Sequence, residues 1–184
     1  IMKKNKSIKY VISIILCLIP LAFGIAVYDK LPENVAIHFT INDTPDNYAS
    51  KKIAVIAFPI IMAIVQFLCI TVMYKYYKNK ENAQEPKMMK IFVWYVPILT
   101  ISIYTLMILH ALNYNIPIGK CVCFLIGIIF IVIGNYMPKM DYETGSMMIH
   151  PKPKDEKAFR KMTRIMGYSF VIGGVAFLII MFFV

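Results

Sequence analysis

The sequence predicts an all-α membrane protein: five transmembrane helices with a short ordered extracellular strand-turn loop. Three observations carry this expectation. The chain of 184 residues is 59% hydrophobic and only 16% charged, too little polar surface to cover a soluble domain of that size. Its apolar residues are gathered into five runs without Asp, Glu, Lys or Arg: Val11 to Val27, Ile53 to Tyr74, Ile91 to Leu109, Cys121 to Met137 and Ile165 to Val184. One compact polar stretch, LPENVAIHFTINDTPDNYASK over residues 31–51, separates the first two runs.

A helix crossing the hydrocarbon core needs about 20 apolar residues, and the five runs are of that order. An open sheet is excluded, because its edge groups would go unpaired in lipid. Helices are expected over about 9–28, 51–74, 91–112, 120–137 and 165–184, in a single membrane domain covering 1–184. The first run follows Lys3, Lys4 and Lys6, as in a signal peptide. It is longer than the usual apolar stretch of such a signal, about 7–15 residues, and is read as a helix.

Lysine and arginine favour the cytoplasmic side. Of the 20 basic residues, all but Lys30, Lys51, Lys52 and Lys120 lie in the N-terminal segment and in the 75–90 and 138–164 segments. These become cytoplasmic loops, and the 29–50 loop becomes extracellular. The N-terminus is then expected inside and the C-terminus outside. The same asymmetry accounts for the net charge of +10: inner lysines orient the helices and meet anionic lipid. No nucleic-acid partner is needed to explain it. Cys17, Cys69, Cys121 and Cys123 all lie in or beside apolar runs, where cysteine behaves as a small hydrophobe.

In the polar loop, Val35, Ile37, Phe39 and Ile41 alternate with Ala36, His38 and Thr40. Period two argues for a strand with one apolar face, lying on the interface or over the helix ends. Asn42 to Asn47 carries turn chemistry, and Ser50 suits the N-cap of the second helix. His38 with Asp43 and Asp46 invites a metal or catalytic reading, against the plainer one in which His38 bonds a carboxylate or a backbone group and pins the loop. Their spacing selects no metal. No HExxH, GxSxG or phosphate-cradling loop occurs. No catalytic residue, metal or cofactor is expected.

Leu31-Pro32, His38-Phe39, Pro45-Asp46, Tyr48 and Ser50-Lys51 resemble the extracytoplasmic loop of a bacterial membrane domain of unknown function. That domain opens the SdpI-like immunity proteins, which protect against a sporulation-delaying peptide toxin. The family usually has a turn glycine where this chain has Asp43. Gly134-Asn135-Tyr136-Met137-Pro138-Lys139 is similar to the family's GNxMPK motif, and Thr163-Arg164 with Gly167 to a third segment. The chain departs in its cytoplasmic MDYETGSMMIHPKPKDEKAF stretch and in having five expected crossings where the family pattern has six.

The resemblance implies a multi-pass protein of the bacterial cell membrane giving immunity to, or sensing, a secreted membrane-active peptide toxin. His38, Phe39, Asp43, Pro45, Asp46 and Lys51 are the peptide-binding candidates. Asn135, Met137, Pro138 and Lys139 are candidates for docking a cytoplasmic regulator, the alternative being a membrane scaffold that sequesters a repressor. A metal-dependent transporter or enzyme built on His38, His110 and the acids is a third reading. None of the apolar runs holds a charge, which disfavours coupled transport.

Two features bear on helix packing. Pro20, Pro59 and Pro97 fall inside the first three helices, where kinks either open a cavity or fit helices together. Gly173, Gly174 and Ala176 form a small-residue patch on the last helix, suited to close packing within the chain or in a homodimer.

Overall fold

The computed structural model describes residues 2–40, 42–78, 87–149 and 152–183. Ile41 and residues 79–86 of the 75–90 loop, with Lys80, lie outside them. The helices are α1 (Met2–Ala26), α2 (Phe58–Lys78), α3 (Lys87–Ala111), α4 (Ile118–Tyr136), α5 (Tyr142–Met148) and α6 (Glu156–Ile180). A hairpin of β1 (Asn34–Phe39) and β2 (Pro45–Ser50) follows α1, and a π-helical turn, Ile53–Ala57, leads into α2. Among the described residues, five helical spans are long and apolar enough to cross a bilayer: Ile8–Ala26, Ile53–Lys75, Met89–Ala111, Ile118–Lys139 and Glu156–Ile180. The chain is a multi-pass membrane protein.

Two helix starts differ most from the sequence expectation, while α3 begins at Lys87, ahead of residue 91. α1 begins at Met2, so its lysine-rich lead is helical rather than a preceding segment. The last helix begins at Glu156, not at residue 165. Asp155 caps it, its carboxylate accepting from the Ala158 N–H at 2.7 Å, and Arg160 reaches back to Glu156 at 2.8 Å. Cap and i,i+4 pair stabilise first turns that are too rich in charge to continue the apolar run, so hydropathy alone places the start too late. α5, which has no long apolar run, was likewise outside the expectation.

Contacts group the chain into two compact units, one ending at Tyr74 and resuming over Met89–Gly119, the other comprising Lys75–Met88 and Lys120–Val184. In the first, α1, α2 and α3 are joined by polar contacts between buried side chains. Pro59 lacks the N–H that would bond the carbonyl of Val55, four residues earlier, and its ring crowds that carbonyl. The helix widens there into the π turn, and the hydroxyl of the buried Tyr104 on α3 donates to Val55 O at 3.1 Å. A Cβ on Gly24 of α1 would collide with this hydroxyl.

Pro97 repeats the arrangement. It leaves the carbonyl of Val93 without its helical donor, and Gln66 Nε2 on α2 donates to Val93 O at 3.1 Å. The same nitrogen donates to Ser13 Oγ on α1 at 3.0 Å, and Ser13 donates to Tyr10 O at 2.8 Å. Pro59 and Pro97 are fully buried, and the carbonyls they free are acceptors for neighbouring helices.

In the second unit α4 and α6 pack through paired glycines. A Cβ on Gly134 would lie 2.5 Å from Gly167 O, and one on Gly174 2.6 Å from Gly127 O. Small residues let two backbones approach closely. Gly174 of the small-residue patch is therefore used inside the chain. Gly173 meets only the Phe130 ring, at 3.5 Å. α5 lies on α6, with Tyr142 edge-on to Phe159 at 5.5 Å and Gly145 facing the same ring.

Two predictions follow from these contacts. Tyr104→Phe should destabilise the protein in micelles by about 1–2 kcal/mol, and by clearly less when Pro59→Ala restores the helical donor. An unfolding double-mutant cycle measures the coupling, and additivity would exclude this role for the hydroxyl. Gly134→Ala and Gly174→Ala should each lower thermal stability by about 1–3 kcal/mol through overpacking, while Gly173→Ala is tolerated.

Candidate functional site

The hairpin is anchored on the ends of the first unit's helices. Leu31 and Val35 join Ala54, Val55, Tyr104, Met107, Ile108 and Ala111 in one buried cluster. Burying side chains of this size stabilises by about 1.5–3 kcal/mol each. The strands pair antiparallel, Val35 opposite Ala49 and Ala36 opposite Tyr48, then His38 opposite Asn47. That register break is a bulge at Ile37, and a bulge interrupts the alternation of faces. It corrects the expected single apolar face: Val35 and Ala36 are both buried while Ile37 is exposed. The second strand, β2, takes residues that were read as a turn.

Ser50 closes β2 directly before the helical residues 51–52. Among the described residues it makes no capping side-chain bond. The tip, in contrast, is closely tied. Thr40 N–H donates to Thr44 O at 2.9 Å and Asp43 N–H to Thr40 O at 3.1 Å, and the two threonine hydroxyls bond each other. Asp43 has φ 59°, left-handed backbone that favours glycine. Its carboxylate accepts from the Gly119 N–H, one of the orphan donors in the first turn of a helix. Asp43 therefore points inward, toward the chain's own helix end.

The remaining candidates also have local partners. His38 Nδ1 lies 2.6 Å from Asp46 Oδ1, so the histidine is bonded to a carboxylate. Phe39 stacks edge-on against His110 at the end of α3, with centroids 4.8 Å apart. Pro45 begins β2 opposite Phe39. Lys51 binds Glu33 at 2.8 Å and lies over the Tyr28 ring. The hydrogen bond that Lys51 donates to the Glu33 carboxylate holds its ammonium above the ordinary pKa. Among the described residues no group of three or more His, Cys, Asp or Glu is arranged to hold a metal.

Two features escaped sequence reasoning. Tyr48 is 55% exposed; its backbone is paired opposite Ala36 and its N–H donates to the Asn47 side chain, and among the described residues no bond is found for its hydroxyl. Beside the hairpin, at the ends of α1 and α3, a cleft of about 450 Å³ is lined by Phe23, Val27, Lys30, Leu109, Leu112, Asn113 and Tyr114. Asn113, with φ 63°, ends α3 in a left-handed turn. Its N–H donates to His110 O at 2.9 Å and that of Tyr114 to Leu109 O at 3.1 Å. This Schellman geometry forms one wall of the cleft. Asn113 followed by polar residues was the available signal.

The docking candidates sit in the second unit. Asn135 accepts from Lys139 Nζ at 3.1 Å, and Lys139 lies over the Tyr136 ring. Met137–Lys139 form a 3-10 turn, and Pro138 faces Gly167, where a Cβ would come within 3.0 Å of the proline ring. The GNYMPK stretch and the Gly167 segment thus pack on each other.

Residues 15–63 match the model of a family described as a domain of unknown function (DUF1648). The match takes in the C-terminal part of α1 from residue 15, the hairpin and the opening of α2. No curated protein and no solved structure matches the chain.

Asp43→Ala should loosen the hairpin more than Asp43→Gly, by about 1 kcal/mol, because glycine loses the Gly119 bond but keeps the left-handed turn. Hydrogen exchange at Val35 and Ala49 reads the difference, and equal protection in both variants would sever the tip from strand pairing.

Proposed function

We propose that this membrane protein protects its cell from, or senses, a secreted membrane-active peptide, which meets the hairpin and the neighbouring helix ends from outside the cell. The role is binding and shielding, with no catalytic step. The observation that carries it is Tyr48. Of the residues that give the loop its family resemblance, Leu31, His38, Phe39, Asp46 and Lys51 all have packing or bonding partners within the unit. Tyr48 is left standing on an anchored strand, with Ile37 exposed nearby.

An amphipathic peptide suits this surface. Its apolar side chains would contact Tyr48 and Ile37 and enter the cleft floored by Phe23, Val27 and Leu109. Tyrosine anchors on a preordered support bind at low entropic cost. Asp43 is engaged by Gly119 and Glu33 by Lys51, so attraction of a cationic peptide rests on Asp46 in the exposed His38–Asp46 pair. The basic residues of the intervening segments support an external position for the hairpin.

Expression in a peptide-sensitive strain tests the proposal. Survival should rise with the chain present, and Tyr48→Ala with Ile37→Ser should cut the protective range about tenfold at equal protein level. Undiminished protection would remove the hairpin from the mechanism. A thiol at Thr44→Cys should react with an impermeant reagent in intact cells. Labelling only after lysis would place the hairpin on the wrong side.

A further inference from the structure

We propose that the exposed face of α6 at its N-terminal end is a binding site for an anionic phospholipid. Lys157, Arg160, Lys161 and Arg164 recur at i, i+3, i+4 and i+7, which places them on one side of a helix. All four are exposed. The stripe continues into Ile165 and Tyr168, 56% and 68% exposed, and then Ile172. Together with Glu156 the first six of these residues line a shallow groove of about 780 Å³.

The opposite side of α6 is already occupied: Phe159, Thr163, Gly167 and Gly174 are buried. The basic side is therefore the one turned away from the chain's own packing. Its acid is Glu156, which Arg160 binds through Nε and Nη2. Among the described residues no ion pair is found for Lys157, Lys161 or Arg164. Four cations over about two helical turns span roughly 10 Å, comparable to the headgroup layer flanking the hydrocarbon core. The exposed apolar residues begin where that layer ends.

Charge and depth together select the occupant. The lipid phosphate sits among the lysines and Arg164, with an acyl chain along Ile165, Tyr168 and Ile172. A zwitterionic lipid offers the same chain without the net charge. A soluble phosphate offers the charge without the chain. The site does not depend on the peptide-shielding role, nor on which leaflet α6 enters from.

The test uses the full chain, delipidated in neutral detergent. Phosphatidylglycerol and phosphatidylcholine with identical acyl chains are titrated, with glycerol phosphate as a third probe. Lipid retention is read by native mass spectrometry and thermal stabilisation in parallel. Phosphatidylglycerol should bind about tenfold or more tightly than phosphatidylcholine, and glycerol phosphate should have no effect. K157Q/K161Q/R164Q should abolish that preference, because each surface cation adds to the attraction for anionic lipid. K152Q/K154Q, which removes nearby charge off the stripe, should keep it. Equal binding of both lipids, or equal loss in both variants, would overturn a discrete site in favour of diffuse charge. Should the triple variant not fold, R164Q alone is read by mass spectrometry, and an unchanged preference there overturns the site as well.

Discussion

A backbone carbonyl inside a bilayer has no water to bond, and a carbonyl that loses its helical donor must find another in the protein. Pro59, Pro97 and Pro138 create that need, and each is answered differently. Val55, freed by Pro59, receives the Tyr104 hydroxyl. Val93, freed by Pro97, receives the Gln66 amide. Gly134 stands four residues before Pro138, and its carbonyl is approached by the backbone of Gly167, a setting for weak Cα–H···O contacts. Hydrophobic burial gives little reason for one helix to prefer another in lipid. These acceptors give specific helices specific neighbours.

The hairpin inherits its position from the same contacts. Val55, whose carbonyl bonds Tyr104, also packs in the cluster that receives Leu31 and Val35. A two-stranded hairpin alone is marginal in water. This one gains an apolar seat below, the Lys51–Glu33 tie at its base and the Asp43–Gly119 bond at its tip. Held at base and tip, it can present exposed side chains without first ordering itself, which lowers the cost of binding.

How much of this was legible depended on the length scale of the signal. Five uncharged runs disclose the spans, since lipid requires them of any sequence. The start of α6 was hidden because its first turns are held by the Asp155 cap and the Glu156–Arg160 pair, which leave no hydropathy trace. The bulge at Ile37 was hidden because one inserted residue leaves the alternation of letters intact while turning the side chain over. The His38 bond to a carboxylate and the approach of His110 to the loop could be anticipated from their places along the chain. The inward turn of Asp43 could not, since its partner lies far away in sequence at Gly119.

The residues that carry a resemblance need not be the ones that carry a function. Pro138 and Gly167 meet because one helix must end where another passes closely, and Asn135 is bonded by Lys139 within the same turn. Such residues report a shared way of packing helices. Most loop residues with the same status are likewise committed to holding the hairpin. A partner reads what the packing leaves over, and on β2 that is the ring of Tyr48. Since the strand beneath it is paired and seated, removing that ring should alter recognition far more than stability. That contrast separates a binding role from a structural one.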